Sequence, residues 1–307
     1  MDESQPQGPA QPRVSALVLS YNAAASLRRS LAALEKSAPR ELLQIIVMEN
    51  GSQDESPQLD AEFPDVTFMK LARNFGATKA FNIGTRTAAG EYIFYLSPEI
   101  EVLPDTVAKL AARLDADETA VAVCPLLVTP TGEPIAQAWK LPGPDLLSAV
   151  SNDPEALPVI RVDPMADAAP VEYASGRAIL ARKFFVKALN YFDERYGHFG
   201  WDLELAYQIR RAQRRILILP GVRATAHEPE QPPLSSSQRA AISADRVLGV
   251  SRFAAKHYGF MAGLKVRGGA ALASLARMAT LRDPAFQFNR LAALMTGQKI
   301  DGSQSAL

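Results

Sequence analysis

The first 125 residues alternate between short apolar runs and segments with a helical pattern, and this alternation restricts the possible folds most. The apolar runs predict strands at Val14–Leu19, Leu43–Met48, Val66–Leu71, Tyr92–Leu96 and Ala120–Cys124. The intervening segments predict helices at Ala23–Lys36, at Thr78–Ala89 with a break at Gly84, and at Pro104–Leu114. Strands separated by helices form right-handed βαβ units. The chain is therefore expected to be an α/β protein with a mostly parallel central sheet flanked by helices.

The second half follows a different pattern. Residues 126–170 are proline-rich and irregular. The next predicted elements are a strand at 171–175, helices at 182–189 and 202–214, and a strand at 215–219 that ends at Pro220-Gly221. A long helix is predicted from Ser235 to Tyr258, and the pattern stays helical beyond Gly259 to about Leu294. We therefore divide the chain into a tail at 1–12, a main domain at 13–234 and a C-terminal helical extension at 235–307.

Composition excludes several classes of protein. The 33 basic and 33 acidic residues balance, which argues against a nucleic-acid binder. The single cysteine, Cys124, excludes an internal disulfide and a multi-cysteine zinc site, and its apolar run predicts a packed thiol. The acidic, Pro/Gln-rich tail is expected to be disordered, and the sequence contains no apolar stretch long enough to span a membrane. We therefore expect a cytoplasmic protein.

Polar clusters follow the first four predicted strands, and they read SYN, ENGS, RNFG and SPEIE. Ligands of parallel sheets bind at these strand ends. The glycine-rich dinucleotide and P-loop motifs and the Gly-x-Ser-x-Gly elbow are absent from the sequence. In an extended chain, Ser97, Glu99 and Glu101 would face the same side. This stretch is either a cation site or a polar turn.

Several segments together resemble the family 2 glycosyltransferases, in the order and spacing of their rhamnosyltransferase-like subgroup. The segments are VSALVLSYNAAASLRRSLAAL, IIVMENGSQDES, LARNFGATKAFNIGTRTAAGEYIFYLSPE, VEYASGRAILARK and YFDERYGHFGWDLELAYQIRRAQRRILILPG, followed by His227. The resemblance covers about residues 13–260. It implies a GT-A fold, a UDP- or dTDP-sugar donor and inverting transfer of the sugar to a hydroxyl acceptor.

The same resemblance implies a set of donor-binding residues. These are Ser20, Tyr21 and Asn22 after the first strand, Glu49 and Asn50 after the second, and Arg73, Asn74, Gly76 and Asn82 after the third, with Gly84 close by. Glu49 stands where the family has Asp. Gly76 and Gly84 would allow the backbone to approach the donor closely. The alternative for these glycines is a turn and a helix break.

The resemblance also implies a Mg²⁺ or Mn²⁺ site. Ser97-Pro98-Glu99 stands where the family has Asp-x-Asp or Asn-Pro-Asp, so Ser97 would contribute a neutral oxygen on the donor side and Glu99 the charge. Glu101 and His227 are the further candidate ligands. The alternative is that Glu99 and Glu101 are solvated acids at the strand end and that His227 is a hydrogen-bonded histidine at the surface.

Asp202 aligns with the family's catalytic base, which must be a carboxylate beside the acceptor hydroxyl. The family has Glu-Asp-x-Asp here: Trp201 stands in place of its Glu, and Glu204 takes the place of its later acid. Gly176 matches the glycine beside the acceptor. Trp201 could stack on a sugar or lie in the core. The alternative for Asp202 and Glu204 is structural: both acids would lie at the N-terminus of a helix, where the positive end of the helix dipole stabilises a carboxylate and lowers its pKa. Arg177 could pair with a phosphate or lie in solvent.

The C-terminal extension is basic. Residues 252–299 contain eight Lys or Arg and one acid, Asp283, together with apolar residues at helical spacing. Such a segment either contacts an anionic membrane surface or packs on the main domain with its arginines in water.

The sequence therefore predicts a glycosyltransferase of cell-surface polysaccharide or glycan assembly, with a glycan or lipid-linked acceptor, in the cytoplasm or at the inner face of the membrane. The alternatives are a non-catalytic relative that binds nucleotide-sugars or glycans, and a nucleotidyltransferase. The missing glycine-rich phosphate loop counts against the last.

Overall fold

The computed structural model describes residues 11–144, 146, 157–228 and 234–301. The helices are α1 Ala24–Glu35, α2 Gly76–Thr87, α3 Thr106–Ala116, α4 Lys183–Ala188, α5 Trp201–Arg211, α6 Ser236–Tyr258, α7 Phe260–Ala279 and α8 Pro284–Thr296. The strands are β1 Val14–Ser20, β2 Leu43–Glu49, β3 Thr67–Lys70, β4 Tyr92–Leu96, β5 Ile100–Val102, β6 Ala120–Val128, β7 Ala138–Trp139, β8 Ala169–Val171, β9 Tyr173–Ala174, β10 Ala178–Arg182 and β11 Arg215–Ala226. Residues 1–10 of the expected tail, and parts of the irregular and C-terminal segments, lie outside the described residues.

A mixed sheet forms the centre of the molecule, in the order β3-β2-β1-β4-β10-β6-β11-β5, with β8 beside β11. The pairs of β1 with β2 and β4, of β2 with β3, and of β6 with β11 are parallel, as the βαβ pattern predicts. Strand β10 lies antiparallel between β4 and β6. The sequence pattern predicts no strand at 178–182, and β10 joins the two parallel parts into one sheet.

Both faces of the sheet are covered, which explains its continuous apolar strands. Alternate residues of β1 enter opposite cores. Leu17 and Leu19 face the core under α2, α5 and the C-terminal helices, whereas Ala16 and Val18 face the core under α1 and α3. Cys124 is buried in the first core and burial raises the pKa of its thiol, so the prediction of a packed thiol is confirmed.

Two predicted breaks were wrong. Helix α2 runs through Gly84, where a Cβ would press on the side chains of Met48 and Leu17, so this glycine allows the helix to lie close to the sheet. Strand β11 continues through Pro220-Gly221 to Ala226, with a shift of register between Leu219 and Arg223. A bulge accommodates the proline without ending the strand. The extra length carries β11 to the strand ends where the polar clusters lie.

The C-terminal helices pack on the main domain through Ala244, Val247, Phe253 and Leu294, which belong to the first core. The boundary predicted at 234/235 falls just before α6, which begins after the N-cap Ser235. Within the described part of the chain, every helix is too short or too polar to span a lipid bilayer.

Candidate functional site

A cleft of about 1090 Å³ opens where the strand-end loops meet the C-terminal helices. Its lining includes most of the predicted site: Tyr21, Asn22, Asn50, Asn74, Ser97, Glu99, Gly176, Trp201, Asp202 and His227. Helix α6 adds Gln238, Ile242 and Arg246, and Ile300 follows from beyond α8. The C-terminal extension is therefore part of the cleft wall.

Side-chain amides hold the loops after the first three strands together. Asn50 Nδ2 donates to Asn74 Oδ1 at 2.8 Å, and Asn50 Oδ1 accepts from the Phe75 N–H at 2.9 Å. Asn22 Oδ1 accepts from the Gln53 N–H at 2.8 Å. These bonds fix the edge of the cleft that the resemblance assigns to the nucleotide.

Several predicted donor residues do not reach the cleft lining. Ser20 is fully buried, and the Glu49 carboxylate accepts from the N–H groups of Gly51 and Ser52 in its own turn. Arg73 is exposed, with its guanidinium over the Phe75 ring. These residues shape the loops, and the structure gives them no place in the cleft.

Asn82 and Gly76 have structural tasks instead of the predicted contact with the donor. Asn82 is buried and exchanges two hydrogen bonds with the backbone of Phe192, at 2.8 and 2.9 Å. Gly76 has φ +74° and packs against the Ile300 carbonyl and Gly197, so only a residue without Cβ fits there. Both positions support the wall of the site from outside the cleft.

The segment at the end of β4 turns instead of running on. The Ile100 N–H donates to the Ser97 carbonyl, and the chain then enters β5 antiparallel to β11. Ser97, Glu99 and Glu101 are therefore not successive residues of one strand face, and the expected alignment was wrong. Each acid has a cation or ring beside it: Arg177 Nε donates to Glu99 Oε1 at 3.0 Å, and His227 Nε2 lies 2.7 Å from Glu101 Oε2.

This arrangement does not fit a divalent cation. Magnesium and manganese require several oxygen ligands free to point at the ion. Ser97 replaces one acid, Glu101 bonds His227, and the guanidinium of Arg177 already lies against Glu99. Among residues 11–144, 146, 157–228 and 234–301, no group of three or more acid, histidine or cysteine side chains is arranged to hold a metal ion.

Asp202 presents a carboxylate to the cleft from the first turn of α5. Its Oδ2 accepts from the Tyr173 hydroxyl at 3.0 Å and from the Gly176 N–H at 3.1 Å, and its Oδ1 accepts from the Leu203 N–H at 2.9 Å. Burial raises the pKa of Asp202 despite these bonds, so the lowering expected from the helix dipole does not dominate. Burial and the Asp202 carboxylate also raise the pKa of Tyr173, which stays protonated and donates.

Trp201 lies in the core, so its predicted stacking on a sugar is corrected. It is 4% exposed, and its ring lies 5.0 Å from both Phe81 and Phe192 and 5.4 Å from Tyr95. A Cβ at Gly176 would overlap this ring. The glycine therefore allows the turn before β10 to approach Trp201 and to donate its N–H to Asp202.

Glu204 faces away from the cleft, so its acceptor-side role is also corrected. Its carboxylate accepts from Lys256, Gln208 and the Tyr196 hydroxyl and lies 2.8 Å from His257 Nε2. Burial alone would raise the pKa of Glu204, but these hydrogen bonds together lower it. The cluster joins α5 to α6.

Asp245, Tyr173 and His198 belong to the site and were not predicted from the sequence. The buried Asp245 carboxylate on α6 accepts from the N–H groups of His198, Phe199 and Ile300 at 2.8–3.0 Å, and burial raises its pKa to about 6. It thereby holds the loop that precedes α5. His198 lines the cleft, and burial lowers its pKa to about 4. The tyrosine three residues before Gly176 was the one available signal; the other two depend on contacts across the fold.

Comparison with known proteins identifies the domain. Residues 15–139 match the family model described as glycosyl transferase family 2. The succinoglycan biosynthesis protein ExoO of Rhizobium meliloti is 33% identical over 116 residues, which are 36% of this chain and 32% of that protein. An N-acetylglucosaminyl-diphospho-decaprenol L-rhamnosyltransferase of Mycobacterium tuberculosis is 23% identical over 236 residues, covering 69% of this chain and 75% of the relative. The chain thus spans about a third of the length of the first of these relatives.

Solved structures share the fold across nearly the whole chain. GalNAc-T7 with UDP, GalNAc and Mn²⁺ superimposes with a TM-score of 0.62 at 16% identity, over 96% of this chain and 57% of that one. The mannosyltransferase PcManGT of Pyrobaculum calidifontis with GDP-Man and Mn²⁺ gives 0.57 at 18% identity, over 96% and 92%. The structural neighbours are GT-A glycosyltransferases, two of them with Mn²⁺. This chain therefore carries a glycosyl transferase family 2 domain at residues 15–139 and has the GT-A fold.

Proposed function

We propose that this protein is an inverting glycosyltransferase that moves a sugar from a UDP- or dTDP-linked donor to a hydroxyl of a glycan or lipid-linked acceptor, in cell-surface polysaccharide or glycan assembly. The observation that carries the proposal is the Asp202 carboxylate, which lies in the cleft with neutral hydrogen-bond donors and with a raised pKa. A base needs a carboxylate that is ionised near neutral pH and still attracts a proton.

In the proposed reaction the acceptor hydroxyl gives its proton to Asp202 as its oxygen attacks the anomeric carbon. The bond from that carbon to the diphosphate oxygen breaks, and its electron pair leaves with the nucleoside diphosphate. Tyr173 and the Gly176 N–H hold the carboxylate in position through Oδ2. Attack from the face opposite the leaving group inverts the anomeric configuration.

The family's divalent cation has no step in this mechanism, because the acids near Ser97 are already bonded to Arg177 and His227. The loop network around Asn22, Asn50 and Asn74 lines the part of the cleft proposed for the nucleoside. The proposed acceptor side is the part near Gly176 and Asp202.

Donor turnover tests this proposal without knowledge of the acceptor, because water can replace the acceptor hydroxyl. The purified full chain is incubated with UDP-glucose, UDP-GlcNAc and dTDP-rhamnose, and release of nucleoside diphosphate is measured. We expect release from at least one donor, and proton NMR should show a free sugar whose initial anomer is inverted. A non-catalytic binding protein would bind a donor and release nothing, which would contradict the proposal.

The exposed face of α7 supports a second part of the proposal, a contact with the membrane. The buried residues of α7 are small, namely Gly263, Val266, Ala270 and Ser274. Large apolar side chains point outward in the order Met261, Leu264, Leu272 and Leu275. An amphipathic helix that packs only on its own domain has the opposite arrangement.

The charges around α7 suit an anionic lipid surface. Of the eight basic residues in 252–299, Arg252, Arg267 and Arg290 donate inward to the C-terminal helices, and Lys256 and Lys299 bond acids. Lys265, Arg277 and Arg282 remain exposed, and Lys265 shares a side of the helix with Leu272, seven residues further on. The one acid of the segment, Asp283, is paired with Arg239. We propose that this face docks on an anionic membrane at the cytoplasmic side, where a lipid-linked acceptor would be presented.

Vesicle sedimentation tests the membrane contact. The full chain is mixed with phosphatidylcholine vesicles with and without phosphatidylglycerol, and we expect binding that needs the anionic lipid and is lost in Leu272→Glu/Leu275→Glu. Leu103→Glu is the matched control, because Leu103 is an exposed leucine far from this face in sequence. Failure of the wild type to sediment, with concentration-dependent dimers in light scattering instead, would assign the face to a second copy of the chain.

A further inference from the structure

The strand-end acid Glu99 is bonded to a cation that the chain itself supplies. Arg177 Nε donates to Glu99 Oε1 at 3.0 Å, and the carboxylate is only 16% exposed. The two residues are 78 positions apart, and the turn before β10 brings them together. The pair lies in the cleft with Asp202 and His227.

The backbone holds Arg177 firmly at this position. Its carbonyl accepts from the Ser97 N–H at 2.8 Å, and its own N–H donates to Ser175 Oγ at 3.3 Å. Residue 178 then begins β10, which pairs with β4. The side chain therefore starts from a fixed point beside the end of β4.

The terminal nitrogens of Arg177 are available for a ligand. Among the described residues its side chain bonds only through Nε, so Nη1 and Nη2 are left to donate. Arg177 lines the cleft, and about a third of its side chain is exposed. A guanidinium fork matches two phosphate oxygens and carries its charge at any physiological pH.

A divalent cation on Glu99 would lie close to this guanidinium. They would be like charges within a few ångströms of each other, and Ser97 offers no second carboxylate to offset them. The departing nucleoside diphosphate still requires positive charge. The geometry at the end of β4 offers Arg177 for that task.

We propose that Arg177, positioned by Glu99, binds the diphosphate of the donor and offsets its charge on departure in place of a divalent cation. This inference rests on the proposed glycosyltransferase function. It assigns the Ser97-Pro98-Glu99 segment a new role, which is to position an arginine instead of a metal.

Calorimetric titration of UDP and dTDP into the full chain tests the inference. We expect the wild type to bind one of them with the same affinity in EDTA, Mg²⁺ and Mn²⁺. Arg177→Ala should weaken binding in EDTA about 10- to 100-fold, since a charged hydrogen bond is lost. Mn²⁺ should restore part of that affinity, because Glu99 is then free. Arg223→Ala is the control, an exposed arginine of β11 outside the cleft lining.

Two further variants keep the test decisive. Arg177→Lys retains the charge and should bind in EDTA more tightly than Arg177→Ala, even if the alanine variant folds poorly in thermal melts. Glu99→Gln should weaken binding in EDTA, because the arginine loses its anchor. Wild-type binding that needs Mn²⁺ and survives in Arg177→Ala would overturn the inference. The absence of nucleotide binding in every buffer would instead overturn the glycosyltransferase proposal itself.

Discussion

Asp202 and Glu204 stand two residues apart in the first turn of the same helix, yet the structure gives them opposite environments. Asp202 faces the cleft, its hydrogen-bond donors among the described residues are neutral, and burial raises its pKa. Glu204 faces α6, where Lys256 and other donors lower its pKa below the ordinary 4.5. The helix dipole is common to both, so it does not decide their properties. The hydrogen-bond partners of each carboxylate decide its pKa. They make Asp202 a candidate base and Glu204 a member of a structural ion pair.

The largest expected effect is on turnover in Asp202→Asn. The amide cannot accept the acceptor proton, so donor turnover should fall about 10²- to 10⁴-fold while nucleotide affinity is kept. Initial rates and calorimetry on the same preparation measure both. Glu204→Gln is the matched control. An equal loss of turnover in the two variants would contradict the assignment of the base to Asp202 and of a structural role to Glu204.

The converse change is Glu204→Gln, which should reduce stability. The amide is a weaker acceptor for Lys256 and His257 than the Glu204 carboxylate. The free energy of unfolding should therefore drop by about 1–3 kcal/mol. A carboxylate with a lowered native pKa contributes stability that is complete above pH 4.5 and is lost as pH falls through the native value. Urea unfolding at several pH values should therefore show a flatter acid limb in the variant. An unchanged limb would contradict the lowered pKa of Glu204.

Tyr173→Phe sharpens the comparison on the cleft side. The Tyr173 hydrogen bond lowers the pKa of Asp202, so its removal should raise that pKa further. A base works only when ionised, and turnover falls as pH drops through its pKa. The acid limb of the pH–rate profile should therefore move to higher pH, with a rate loss of about tenfold or less at its plateau. A loss of rate with no movement of the limb would show that Tyr173 does not act on Asp202.

The smallest effect is expected for Glu101→Gln. This carboxylate is 43% exposed and bonds His227, and pairs of this kind contribute about 0–1 kcal/mol. Nucleotide affinity in EDTA and in Mn²⁺ should match the wild type. A Mn²⁺-dependent affinity that disappears in this variant would restore Glu101 to the metal site that the sequence predicted.

Local pattern predicted the first half of the fold well. The five strands from Val14 to Cys124 and the helices between them lie within a few residues of their predicted positions. Strand β10 was missed because its five residues follow the motif around Gly176 and precede a short helix, so they show no alternation of their own. Pro220-Gly221 predicted the end of a strand. Strand β11 continues past it because β6 pairs with it on both sides of the bulge.

In the site, a residue's chemical type was easier to predict than its partner. Asp202, Glu99 and Asn50 line the cleft as the resemblance implied, whereas Asn82 and Glu204 have equally suitable side chains that the fold turns elsewhere. The position of a carboxylate on a helix limits its direction only to a face. Which element covers that face depends on contacts such as that of Glu204 with residues 256 and 257.

The sequence by itself determined the alternation of strands and helices, the polar strand ends, the resemblance to family 2 and the candidate base Asp202, because each depends on neighbouring residues or on motif order. Only the tertiary structure decided that β10 closes the sheet, that Arg177 meets Glu99 across 78 residues, that His227 meets Glu101 across 126, and that α7 turns its large apolar residues outward. The physical reason is the separation along the chain of the residues that make these contacts. Periodicity reports which residues share a face, but the charge and packing at that face are set by segments that approach it only when the chain folds.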